Sequence, residues 1–234
     1  MKTIKQQFTR MTTLHPQLLE KLHYKLRYNS WPRLFVNTLK RFGITILPYY
    51  VFYRDITGPP KQSDLEGYEF VELTAVDMPL IATLPLVHNN EQTYQLRLKN
   101  KQHCYALRQH DEVFAFCWMD PFHFSFKGEG KLLQDDEAYI YDIYTMPLKR
   151  GHHLAPKLNA CYTNKLRAEG IRTVIGVVDT MNLPSLNYVR KIGCQVQQKK
   201  LYLNIFGLIN KSIVLEVFAD KYLTSPADKQ QSIT

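Results

Sequence analysis

Apolar residues recur at helical spacing between Pro16 and Tyr28, as Leu18, Leu19, Leu22 and Leu26, which predicts an amphipathic helix. Asn29-Ser30-Trp31-Pro32 interrupts that pattern. Ser30 as cap and Pro32 in a first turn predict a second helix running to Arg41, ended by Gly43. Ile44 to Tyr53 is β-branched and aromatic, the composition of a strand. Thr57-Gly58-Pro59-Pro60-Lys61-Gln62-Ser63-Asp64 then reads as a linker.

Beyond the linker, strands and helices alternate. Strands are expected at Tyr68–Leu73, His103–Arg108, Glu112–Trp118, Ala138–Tyr144, Arg172–Val178, Gln195–Leu203 and Ser212–Val217. Helices are expected at Asp77–Leu84, Glu91–Lys99, Ala155–Ala168 and Leu183–Ile192. Pro121 to Asp136 is polar, contains glycine, and reads as irregular. The sum is a mixed α/β sheet with helices on both faces. Three parts are expected: an N-terminal extension (1–60), a main domain (67–218) and a flexible tail (219–234).

Charge sharpens this division. Residues 1–57 hold ten Lys/Arg against Glu20 and Asp55, a net +8 out of +9 for the whole 234-residue chain. Such a segment suits an anionic membrane surface, an acidic carrier protein or a nucleic acid. Interleaved aromatic and basic spacing is missing, so nucleic acid is the least expected of the three. No apolar run reaches the length of a spanning helix, which needs about 18 residues or more. The N-terminus lacks the apolar core of a secretory signal. Cys104, Cys117, Cys161 and Cys194 each lie among apolar residues, with neither C-x-x-C nor metal-ligand spacing. They read as small buried hydrophobes in a reduced cytosol. The expectation is a cytoplasmic protein whose basic segment can meet the inner face of a membrane.

The candidate chemistry lies at Thr145-Met146-Pro147-Leu148-Lys149-Arg150-Gly151-His152-His153-Leu154-Ala155. A strand ends, a short basic turn follows, and a long helix begins. The first turn of a helix offers unpaired N–H groups and a partial positive charge, a cradle for phosphate. His152 and His153 have no carboxylate or Cys at ligand spacing, so a metal is not expected.

Thr145, Pro147, Arg150 and Ala155 fall on the pyrophosphate-loop pattern of the GNAT (GCN5-related N-acetyltransferase) superfamily, which this region resembles. Asn182, Ser185, Tyr188, Lys191 and Gly193 fall on a second pattern of that family, on the next helix. The resemblance covers roughly residues 67–218. It implies a mostly antiparallel sheet of six to seven strands whose fourth and fifth strands splay around a bulge. It also implies acetyl-CoA as co-substrate, an amine acceptor and direct acyl transfer. Cofactor contacts are implied at Ile143, Tyr144, Thr145, Arg150, Gly151, His152, His153, Leu154, Ala155, Asn182, Ser185 and Tyr188.

Catalytic candidates follow from the same resemblance. Glu137 precedes Arg150 by the thirteen residues that separate a glutamate base from the loop arginine in one branch of the family. Tyr141 shares its strand face and is placed to orient substrate or water. Asp142 is out of phase unless a bulge brings it round. The family's thiolate-protonating tyrosine falls on Val189, with Tyr188 one residue earlier. His153 replaces a loop glycine and Cys194 a phenylalanine. The expected activity is acetyl transfer to a small-molecule amine. The alternatives are longer-chain transfer from acyl-CoA or acyl carrier protein, docked through the basic segment, and an inactive binding module.

Overall fold

The computed structural model describes residues 31–60, 62 and 64–222. The helix expected over Pro16–Tyr28 lies outside them. The strands are β1 (Ile44–Asp55), β2 (Glu69–Leu73), β3 (His103–Gln109), β4 (Glu112–Asp120), β5 (His123–Phe126), β6 (Glu129–Leu132), β7 (Glu137–Thr145), β8 (Thr173–Asp179), β9 (Gln195–Ile205) and β10 (Ile209–Tyr222). The helices are α1 (Trp31–Arg41), α2 (Met78–Ala82), α3 (Glu91–Lys99), α4 (Leu154–Ala168) and α5 (Leu183–Lys191).

Eight strands form one sheet in the order β10-β9-β1-β8-β7-β4-β3-β2. Every neighbouring pair is antiparallel except β7 with β8. Three sequence expectations change here. Strand β1, grouped by composition with the basic extension, lies inside the sheet between β8 and β9. Its buried Tyr49, Val51 and Phe52 need cover on both faces, and the Gly-Pro-Pro stretch is a connection within the fold. Pro121–Asp136 is not irregular, since β5 and β6 form a hairpin. Lys127 and Gly128 at its tip both have positive φ, a turn that the Asn-Gly signature would have announced. Strand β10 runs past Ala219 to Tyr222, so residues 219–222, expected to belong to a tail, are part of the strand.

Alternation along β7 separates two faces. Ala138 and Ile140 pack with Leu154, Leu158, Tyr162 and Leu166 of α4, and Phe52 and Val178 pack with Leu186 and Val189 of α5. On the other face, Phe116 and Trp118 lie under Met78 and Ile81 of α2 and Tyr94 of α3. Phe124 of the hairpin covers Tyr49, Tyr139, Ile175 and Tyr202 on that same side.

Candidate active site

Strands β7 and β8 pair only over Glu137–Tyr139 and Thr173–Ile175. Beyond that they diverge, leaving facing edges without a strand partner among the described residues. A bulge in β7 lies just beyond the point of divergence. Phe116 of β4 pairs with Tyr144 but Trp118 pairs with Tyr141, so two residues of β7 stand opposite Cys117. Asp142 takes φ +47° there, a left-handed conformation that Asp tolerates better than most side chains. A cavity of about 490 Å³ opens between the strands and continues over the starts of α4 and α5.

The loop behind the cavity is built locally. Pro147–Lys149 makes one 3-10 turn, Gly151 turns the chain at φ +92°, and His153 caps α4 at φ +57°. The N–H groups of Leu154 and Ala155 fall in the first helical turn and have no intrahelical acceptor. Lys149, Arg150 and His153 line the same space, so the loop concentrates donors and positive charge. A side chain at Gly151 would meet nothing within 4 Å, which leaves the backbone open to a ligand. The donor set fits a diphosphate-bearing cofactor.

The cavity gathers Tyr141, Ile143, Thr145, Arg150, Gly151, His153, Leu154, Ala155, Asn182, Ser185 and Tyr188. It does not gather Tyr144, His152 or Glu137. Tyr144 turns to the opposite face, stacks on Phe116 and donates to Pro85 O at 3.1 Å. His152 is exposed on the outside of the loop. Glu137 sits where β7 and β8 are still paired, and its carboxylate accepts from Lys131 at 3.1 Å and from Gln134 N at 3.2 Å. Phe124 and Phe126 of the β5–β6 hairpin pack on Tyr139 and Tyr49.

Asn182 acts locally, as the cap of α5, its side chain accepting from Ser185 N. Tyr188 reaches back between the helices, while Val189 is core. Asn159 Oδ1 accepts from Arg54 at 2.8 Å, from Tyr162 at 2.7 Å and from Tyr188 at 3.4 Å. Burial pushes the phenols of Tyr162 and Tyr188 well above the usual range, and the Arg54 guanidinium works against that. Arg54 is 7% exposed and has no carboxylate within salt-bridge distance among the described residues. A positive charge is therefore held beneath the cavity.

The opposite side of the split is also polar. Asp142 takes Arg97 at 2.7 Å and Asn89 at 3.0 Å. The Arg97 guanidinium lies over the rings of Tyr141, Trp118 and Tyr94, at 4.8, 5.0 and 5.3 Å. Tyr141 donates to Gln102 at 2.6 Å, and Gln102 donates to the buried Asp120 at 2.6 Å. Burial pushes the Tyr141 phenol well up, against the pull of Arg97. Arg97, Asn89, Gln102 and Arg54 carry no local sequence signal, because each reads as an ordinary polar residue until the sheet assembles. Among the described residues no group of three or more His, Cys, Asp or Glu is placed to hold a metal.

The split parallel pair, with a donor-rich loop at its open end, is a candidate site for a diphosphate-bearing cofactor. The chain matches the model of the Acetyltransferase (GNAT) family over residues 69–194 and belongs to that family. No curated protein matches its sequence. The fold is similar to an X-ray structure of a Drosophila protein, with TM-score 0.51, 14% identity, and coverage of 74% of this chain and 56% of that one. This chain thus spans little more than half of that protein's length. It is similar too to a conserved Staphylococcus epidermidis protein, with TM-score 0.51, 10% identity and coverage of 76% and 69%. A third likeness is to the GCN5-related glucosamine N-acetyltransferase region of a fungal multi-domain β-N-acetylglucosaminidase, with TM-score 0.50, 14% identity and coverage of 75% and 23%. At these identities the likeness is one of fold.

Proposed function

We propose that the protein transfers an acetyl group from acetyl-CoA to the amine of a small molecule by direct attack. The cavity between β7 and β8 carries this reading, because it joins the loop cradle to the polar groups around Asp142. Leu154 and Ala155 N–H, with Arg150 and Lys149, would hold the diphosphate. Asn182 and Ser185 would line the path of the pantetheine arm, and Ile143 and Thr145 would offer it the unpaired edge of β7. The thioester supplies an electrophilic acyl carbon. An unpaired N–H at Ile143 or Thr145 would donate to its carbonyl oxygen as charge develops there.

Two protons must also move. Asp142 lines the cavity and is the carboxylate best placed to take the amine proton, with Arg97 and Asn89 fixing its direction. Tyr141, anchored by Gln102, would orient the acceptor. Tyr188 would return a proton to the leaving thiolate, and the buried Arg54 would favour negative charge at that point.

The test is thiol release from acetyl-CoA with a panel of sugar, amino-acid and aminoglycoside amines. Octanoyl-CoA and acyl carrier protein serve as rival donors. Asp142→Asn is expected to lower kcat by about 100-fold or more, the usual contribution of a positioned base. Glu137→Gln is expected to leave kcat within a few-fold, and the reverse result would move the base to Glu137. Transfer only from the longer donors would replace acetyl by a longer acyl group.

A further inference from the structure

Helix α1 and the turn between β9 and β10 come from distant parts of the chain and meet at one end of the sheet. Phe206 N donates to Gly43 O at 2.8 Å, which seats the turn beside the end of the helix. Four large apolar side chains around this junction face solvent: Phe35 is 65% exposed, Phe42 67%, Phe206 64% and Leu208 88%. Phe35 lies on α1, and Phe42 lies in the turn immediately after it. A cluster of this kind needs a cover.

The charges that α1 and the β9–β10 turn themselves carry are of one sign. Lys40, Arg41 and Lys211 are exposed beside the cluster. No acidic residue occurs from 31 to 54 or from 199 to 215. The 57 residues that begin the chain carry a net +8. Exposed aromatic and aliphatic tips ringed by Lys and Arg match an interface with anionic headgroups above and acyl chains below. We propose that this end of the sheet is a docking surface for an anionic lipid bilayer.

Topology gives the surface a direction. Strand β1 is antiparallel to β8, and Tyr49 pairs with Asp179 at the end of β8. Residues Ile44–Pro48 extend past that point, about 17 Å for five extended residues. The apolar end therefore projects from the same edge of the sheet at which β7 and β8 diverge. A docked molecule would present the mouth of its cavity towards the lipid. No helix among the described residues is long and apolar enough to cross a membrane, so contact here would be with the surface.

The experiment is co-sedimentation of the full chain with extruded vesicles, without acyl donor, so that its outcome is independent of the transfer reaction. Vesicles of phosphatidylcholine alone are compared with vesicles containing about 30 mol % phosphatidylglycerol. The chain is expected to bind the anionic vesicles more tightly, and to bind less in about 0.5 M salt. Phe42→Asp with Leu208→Asp is expected to weaken that binding about tenfold or more. Both sites are exposed, and an unchanged melting temperature would show that the double variant is folded. No binding to either vesicle would overturn the proposal. So would binding that the double variant leaves intact, which would assign it to the basic residues alone. A concentration-dependent dimer abolished by the double variant, with no vesicle binding, would make this surface a self-interface instead.

Discussion

Gly176 and Phe52 pair across β8 and β1, and the cavity wall depends on how closely they meet. A Cβ at Gly176 would stand 2.2 Å from Phe52 Cζ, so any side chain forces the ring away. Gly176→Ala is expected to cost about 1–3 kcal/mol in urea unfolding and to weaken acyl-CoA binding, as the displaced ring enters the cavity. Unchanged binding would mean that Phe52 does not shape the site. Tyr188 and Val189 show what could be read from residues alone. The family pattern puts a tyrosine at 189, and the chain offers one at 188. Only the observed orientation of α5 shows that Tyr188 hydrogen-bonds across to Asn159 of α4 while Val189 packs in the core beneath α5, and that both reach the cavity wall.

At the scale of elements, α4, α5 and β1 are tied by one carboxamide. Asn159 Oδ1 serves three donors from three elements, and Asn159 is 3% exposed. Asn159→Leu would leave the Arg54 charge and two phenols without that acceptor. A loss of about 2–5 kcal/mol is expected in chemical denaturation, from uncompensated buried polar groups. Arg54→Met in the same background is expected to recover part of it, because the stranded charge is then gone. The sequence showed α4 and α5 clearly, through their apolar spacing and the turn before each. It showed the anion cradle as well, because strand, basic turn and helix are contiguous. It did not show the Arg97–Asp142 side of the split, since those residues lie on α3 and β7 and meet only across the bulge. The β5–β6 hairpin escaped for a different reason. Its strands have four residues each, too short for alternation to stand out from a polar loop.

At the scale of the molecule, strand β1, which closes the basic segment, lies inside the sheet that carries the candidate site. Composition placed the boundary at Gly58-Pro59-Pro60, yet β1 pairs with β8 and β9 and carries Phe52 into the cavity wall. A charge excess marks where positive residues are and says nothing of which strand neighbours which. Buried weak acids give the whole fold a pH limit. Burial raises Tyr49 from 10.0 to about 12 and Cys194 from 9.0 to about 12. Both are neutral in the fold, so their contribution is intact below their unfolded values and is lost as pH climbs through the raised ones. Thermal unfolding midpoints are expected to hold up to about pH 9 and to fall steadily from there to about pH 12. A midpoint flat across that window would contradict the burial of these groups.

Everything proposed for the reaction depends on the split between β7 and β8, with the loop leading into α4, receiving an acyl-CoA. Isothermal titration of the full chain with acetyl-CoA tests this most directly. Saturable binding at one site is expected, with Arg150→Ala weakening it by about tenfold through the lost charge-assisted phosphate contact. No binding, or binding that Arg150→Ala and Gly176→Ala both leave untouched, would contradict it.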